Sequence, residues 1–226
     1  MPHQVERIQD PMASFQSSGT PILIDQHEPA AAGKHPAILL LHGSGGNIAF
    51  WTERLAPQAS RLNIALYAVH YFDRTATRRA DAATILDGVH FPQWLATIAD
   101  ALAYIRARPC VDPARVALLG ISLGAFLALS TGANPEGRVR AIVEVSGGLP
   151  EMDRPRVTRQ FPPTLILHGD ADTIVPVAQA HTLQAILAQA GVPHQTSIYP
   201  GQGHWFDAGT QLRIMADMAG FLGRYL

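Results

Sequence analysis

Val116-Ala117-Leu118-Leu119-Gly120-Ile121-Ser122-Leu123-Gly124-Ala125-Phe126 carries an apolar run, then Gly-x-Ser-x-Gly, then a second apolar run. That order predicts a buried strand, a sharp turn at Ser122 and a helix packed behind it. A turn this tight pushes the serine Oγ into the open, and Gly120 and Gly124 leave room for the helix to approach closely. The Leu123 backbone N–H falls at the helix start, where a developing negative charge is favoured. Gly-x-Ser-x-Gly recurs by chance among small residues, so its weight comes from its flanks and from partners further along the chain.

Working outward, apolar runs alternate with helical stripes. Strands are predicted at Ile22–Ile24, Ala37–Leu41, Asn63–Val69, Arg115–Leu119, Ala141–Val145, Thr164–Leu167 and Gln195–Tyr199. Helices are predicted after Asn47, over Phe91–Arg108, from Leu123 to about Ser130, over Pro176–Ala190 and over Thr210–Arg224. Residues 1–20 read as an irregular polar arm. The connection from His70 to His90 reads as a solvated loop, and residues 149–161 are too short to build a large cap. The alternation predicts an α/β fold, a mainly parallel central sheet with helices on both faces, in a single domain over 1–226.

Composition narrows the function. A net charge of −1 over 226 residues offers no basic surface for nucleic acid or an anionic membrane. Met1–Gln9 lacks the apolar core of a signal peptide, and no run is long enough to span a bilayer. The one cysteine, Cys110, rules out an internal disulfide and reads as a small half-buried residue. No His, Asp or Glu grouping has metal-ligand spacing. The expectation is a cytoplasmic protein, monomer or homodimer, without membrane, nucleic-acid partner, metal or cofactor.

In such a sheet the strand C-terminal ends share one edge. Three of them finish in residues that can act together: Ser122, Asp170 or Asp172, and His204. Serine needs a base to become a nucleophile, and imidazole suits that task. The imidazole in turn needs a carboxylate to fix its tautomer. Among the other histidines, His42 and His168 read as structural. His70 follows a strand and is the rival base, while His3, His27, His35, His90, His181 and His194 read as surface. Tyr71 and Arg74, just past a strand end, are candidates for the border of a substrate cleft. Trp205 and Phe206 read as core or as a wall of the acyl pocket.

Nucleophile, acid and base in the order Ser, Asp, His is the pattern of the α/β-hydrolase fold. Over roughly residues 35–226 the chain resembles the dienelactone hydrolase group. The resemblance is carried by His42-Gly43-Ser44-Gly45-Gly46, Gly120-Ile121-Ser122-Leu123-Gly124, the run from His168-Gly169-Asp170 through Asp172 to Val175-Pro176, and Gly203-His204. It implies that Asp172, the aspartate before x-x-Val-Pro, is the acid rather than Asp170. It also implies that the loop after the first long strand supplies a second oxyanion N–H, from Ser44 or Gly43, beside that of Leu123. Dienelactone hydrolases carry a cysteine nucleophile and an acidic residue in the early loop; here those places hold Ser122 and His-Gly-Ser-Gly-Gly. The expected activity is therefore that of a serine hydrolase cleaving small soluble carboxylic esters in a shallow, uncapped cleft. Peptide, lactone or acyl-transfer and perhydrolase chemistry on the same triad, or a non-catalytic binding protein, are the alternatives.

Overall fold

A computed structural model describes residues 12–226, the Glu136 side chain excepted. Residues 1–11 of the expected arm, with His3 and the Met1–Gln9 stretch, lie outside the described residues. In chain order the elements are β1 (Met12–Ser17), β2 (Thr20–His27), β3 (His35–Leu41), α1 (Ile48–Arg61), β4 (Ala65–Val69), α2 (Ala82–Leu86) and α3 (His90–Arg106). They continue with β5 (Val111–Ile121), α4 (Leu123–Ala133), β6 (Ala141–Val145), β7 (Thr164–Gly169), α5 (Ala178–Ala190), β8 (His194–Tyr199) and α6 (Ala208–Tyr225).

The strands form one eight-stranded sheet in the order β1-β2-β4-β3-β5-β6-β7-β8. From β4 to β8 every neighbouring pair is parallel. β1 and β2 add an antiparallel hairpin at one edge, with β2 also antiparallel to β4. Strand alternation splits the core into two layers. Leu39, Leu41 and Leu118 face α3, α4 and α5, where Trp94, Ile98, Leu102, Leu127, Leu183 and Leu187 are buried. Ile38, Leu40, Leu119 and Ile121 face α1 and α6, against Ile48, Ile214, Met218 and Phe221.

Two expectations are corrected. Residues 12–17 are a strand: Phe15 and Ser17 point inward while Ser14 and Gln16 point out, the half-buried alternation of an edge. Ser18 and Gly19, with φ of 44° and 82°, make the two-residue turn that returns the chain into β2. The 70–90 connection is not simply a solvated loop. Its first residues, Tyr71–Thr75, form a 3₁₀ turn with Tyr71 and Phe72 buried against Trp94, and α2 follows; Arg78 and Arg79 are exposed. Between β6 and β7 a short 3₁₀ turn, Glu151–Arg156, is tied down by the buried Asp153, which accepts from Ser130 Oγ at 2.6 Å. No large cap is inserted there. No described helix is long and apolar enough to cross a membrane.

Candidate active site

The centre of the site is the junction of β5 and α4. Ser122 has φ 54° and ψ −119°, a left-handed conformation that costs a non-glycine residue energy and persists only where the surroundings enforce it. Here they do. The Ser122 N–H donates to the Val145 carbonyl of β6 at 2.8 Å, and its carbonyl accepts from Ala125 N–H at 2.8 Å in the first turn of α4. A Cβ on Gly120 would lie 2.6 Å from the Ala125 Cα, and one on Gly124 would lie 2.7 Å from the His42 carbonyl oxygen. Only glycine lets the helix sit this close to β3 and β5.

The loops after β7 and β8 bring Asp172 and His204 to Ser122. His204 Nδ1 lies 2.7 Å from Asp172 Oδ2, and His204 Nε2 lies 3.0 Å from Ser122 Oγ. All three residues are buried. A carboxylate only accepts, so Nδ1 carries the ring proton and Nε2 is left to accept the serine hydroxyl proton. Asp172 Oδ1 accepts from the Ile174 and Val175 N–H groups at 2.8 and 2.9 Å, which fixes the acid by its own turn. Asp170 has another task, accepting from Gly201 N–H at 2.7 Å. His168 Nε2 donates to the Val175 carbonyl at 2.8 Å, and burial holds its pKa below the ordinary value.

The loop after β3 closes the other side. A Cβ on Gly43 would be 3.3 Å from Ser122 Cβ, so this backbone lies directly against Ser122. Neither the Ser44 nor the Leu123 N–H has a hydrogen-bond acceptor among the described residues. The loop is braced from beneath. The His42 ring stacks on Tyr71 at 4.1 Å, its Nδ1 donates to the Gly43 carbonyl at 2.7 Å, and the Tyr71 hydroxyl donates to the His42 carbonyl at 2.6 Å. Burial pushes His42 down to about 4, so it stays neutral and keeps that geometry.

Several sequence-based placements change. Tyr71 is fully buried and supports the loop from below rather than bordering a cleft. Arg74 donates to the Ser17 and Ser18 carbonyls and to Thr20 Oγ1 at 3.0 to 3.2 Å, locking the β1–β2 hairpin. His70 is engaged with Asp25 at 2.9 Å, and it is His204 that lies within hydrogen-bond distance of Ser122 Oγ. His35 is buried on the Ala31 carbonyl rather than at the surface. Trp205 is 67% exposed, so it is not core. It stands edge-on to His204 at 5.0 Å and lines a cavity.

That cavity also revises the expected shallow cleft. About 730 Å³ in volume, it runs between α1 and α6 from His204, with Ile121 and Val145 of the sheet in its wall. Two residues near Ser122 carry no motif that marks them in the sequence. Ser146, φ 53°, is buried and is among the residues that line the cavity. Glu144 is wholly buried in β6 beside the β5–α4 junction, with Oε2 accepting from Gly147 N–H at 2.9 Å; burial raises its pKa to about 8. The one signal for Glu144 is an acid in an otherwise apolar strand. Among the described residues no group of His, Cys, Asp or Glu could hold a metal ion.

Known proteins agree with this architecture. A dienelactone hydrolase-like promiscuous phosphotriesterase from metagenomic libraries superposes with a TM-score of 0.76 at 20% identity, covering 95% of this chain and 97% of that one. A thermophilic esterase from Thermogutta terrifontis, solved with propionate bound, gives 0.72 at 18% identity over 94% and 93%. In both the likeness is one of fold. Among curated proteins, a monoacylglycerol lipase of Mycolicibacterium smegmatis is 28% identical over 201 residues, 87% of this chain and 66% of that protein. A Mycobacterium tuberculosis protein that bears a phosphoribosyl transferase name is 25% identical over 222 residues, 91% of this chain. The chain spans about half of that relative's length, 47%. The model of the dienelactone hydrolase family matches residues 26–217, and the chain belongs to that family.

Proposed function

We propose that this hydrolase cleaves carboxylic esters through an acyl-enzyme on Ser122. His204 Nε2 takes the hydroxyl proton as Ser122 Oγ attacks the ester carbonyl, and the tetrahedral oxyanion is held by the backbone N–H groups of Leu123 and Ser44. Asp172 keeps the ring in the tautomer that can accept and stabilises the imidazolium that results. Collapse of the intermediate breaks the bond to the alcohol oxygen, which receives the proton from His204. Water then enters, gives its proton to His204 and attacks the acyl carbonyl. The acid departs as Ser122 recovers its hydrogen.

What carries this reading is the unbroken relay from Ser122 Oγ through both nitrogens of His204 to Asp172. Strain at Ser122 and unengaged N–H groups on either side support it. The test is p-nitrophenyl acetate hydrolysis and fluorophosphonate labelling by the wild type and Ser122→Ala. The variant is expected to keep its circular dichroism and melting temperature, lose labelling, and lose kcat by about 10⁴-fold or more. Turnover that survives the substitution would refute the assignment. Adding competing alcohols or hydrogen peroxide and analysing the products separates hydrolysis from acyl transfer on the same triad.

A further inference from the structure

We propose that the cavity between α1 and α6 seats a long apolar arm of the ester, so that the preferred substrates carry one medium-length chain, on the acid or the alcohol side, rather than two short ones. This rests on the ester-hydrolase reading above and adds the substrate class to it. The cavity borders the site: His204 and Ile121, the residue before Ser122, are among the residues that line it. It then follows the sheet face down to Leu119. Three strand residues separate Leu119 from Ser122, a depth of about 10 Å, and an extended chain of roughly eight carbons covers that distance.

The lining matches such an arm. Trp51 and Leu55 of α1 face Met215 and Met218 of α6 across the cavity. Paired thioethers adapt to chains of different length and bend. The volume, about 730 Å³, is in the range of sites that enclose most of a small ligand. Acetate would leave nearly all of this surface wet.

Two ester series test the proposal and tell which arm enters. One varies the acid, from p-nitrophenyl acetate to dodecanoate; the other varies the alcohol, from ethyl to decyl acetate. In one of them kcat/KM is expected to rise about fourfold for each methylene until the cavity is filled, near eight carbons. Met215→Trp, or Leu55→Phe if the first folds poorly, is expected to lower the octyl-to-ethyl ratio by about tenfold or more by occupying that space. If both series are flat or fall from their shortest member while Ser122-dependent turnover persists, the cavity proposal is overturned and the esterase reading stands. If no ester of either series is turned over in a Ser122-dependent way, both fall.

Discussion

Glu144 offers a quantitative check on the buried frame beneath Ser122. Its carboxyl, ordinarily at 4.5, is pushed up to about 8 by burial, with only the Gly147 N–H working in the opposite direction. Between those values the unfolded chain has released a proton that the native protein keeps. Native stability therefore declines as pH rises from about 4.5 to about 8, and levels off beyond. The full span corresponds to about 4–5 kcal/mol, on the order of 1.4 kcal/mol per pH step. Glu144→Gln keeps the shape and the acceptor for Gly147 but cannot titrate. Its amide adds a donor with no partner, about 1–3 kcal/mol of cost at low pH. The variant should be the less stable protein at pH 5 and the more stable one at pH 8.5, with the curves crossing near pH 6. Urea unfolding at pH 5, 6.5 and 8.5 measures this. Other titrating groups, such as the depressed His42, act on both proteins and cancel in the difference. Parallel curves across the range would show that Glu144 does not hold its proton in the native state, and that β6 carries a solvated or otherwise compensated carboxylate instead.

Asp172→Asn is expected to lower kcat about 10⁴-fold, because the amide favours the wrong tautomer of His204; steady-state kinetics with an intact melting curve check it. Gly124→Ala forces a methyl into the Leu41 and His42 carbonyls, and should destabilise the fold by about 3 kcal/mol or more in urea unfolding. Arg74→Ala releases the hairpin carbonyls and should cost about 1–3 kcal/mol of stability while kcat/KM on p-nitrophenyl acetate holds. A selective loss of kcat/KM in that variant would restore Arg74 to the substrate cleft.

The parallel strands and the long helices are legible in the sequence because each is a short apolar run or a clear helical stripe, most of them bounded by glycine or proline. The hairpin strand β1 is not. It sits at an edge, and its inward face holds Ala13, Phe15 and Ser17, with Phe15 the one large apolar side chain, too little to lift the alternation above a polar background. Ser122 and His204 are picked out by motif and order, whereas residue order leaves Asp170 and Asp172 open and the preference for Asp172 comes from the family resemblance. Arg74 misleads because its partners are backbone carbonyls more than fifty residues upstream, which no local pattern encodes. The cavity is invisible for a different reason. Trp51 and Leu55, like Ile214, Met215 and Met218, form apolar stripes on their helices. Periodicity reports that a face is apolar but not whether the opposite face fills the space against it. Trp205 is the trace this leaves in the sequence: a large aromatic side chain in a polar loop, standing at an opening.

Asp172 spends one oxygen on two amides of its own turn and the other on the imidazole. Shape of the segment and direction of the ring are thus set by a single side chain. A descendant that moved the acid to another strand would have to rebuild the 172–175 corner as well, so the position is held by two separate demands at once. Relocation would need paired changes, and drift one substitution at a time would pass through a protein that had lost both.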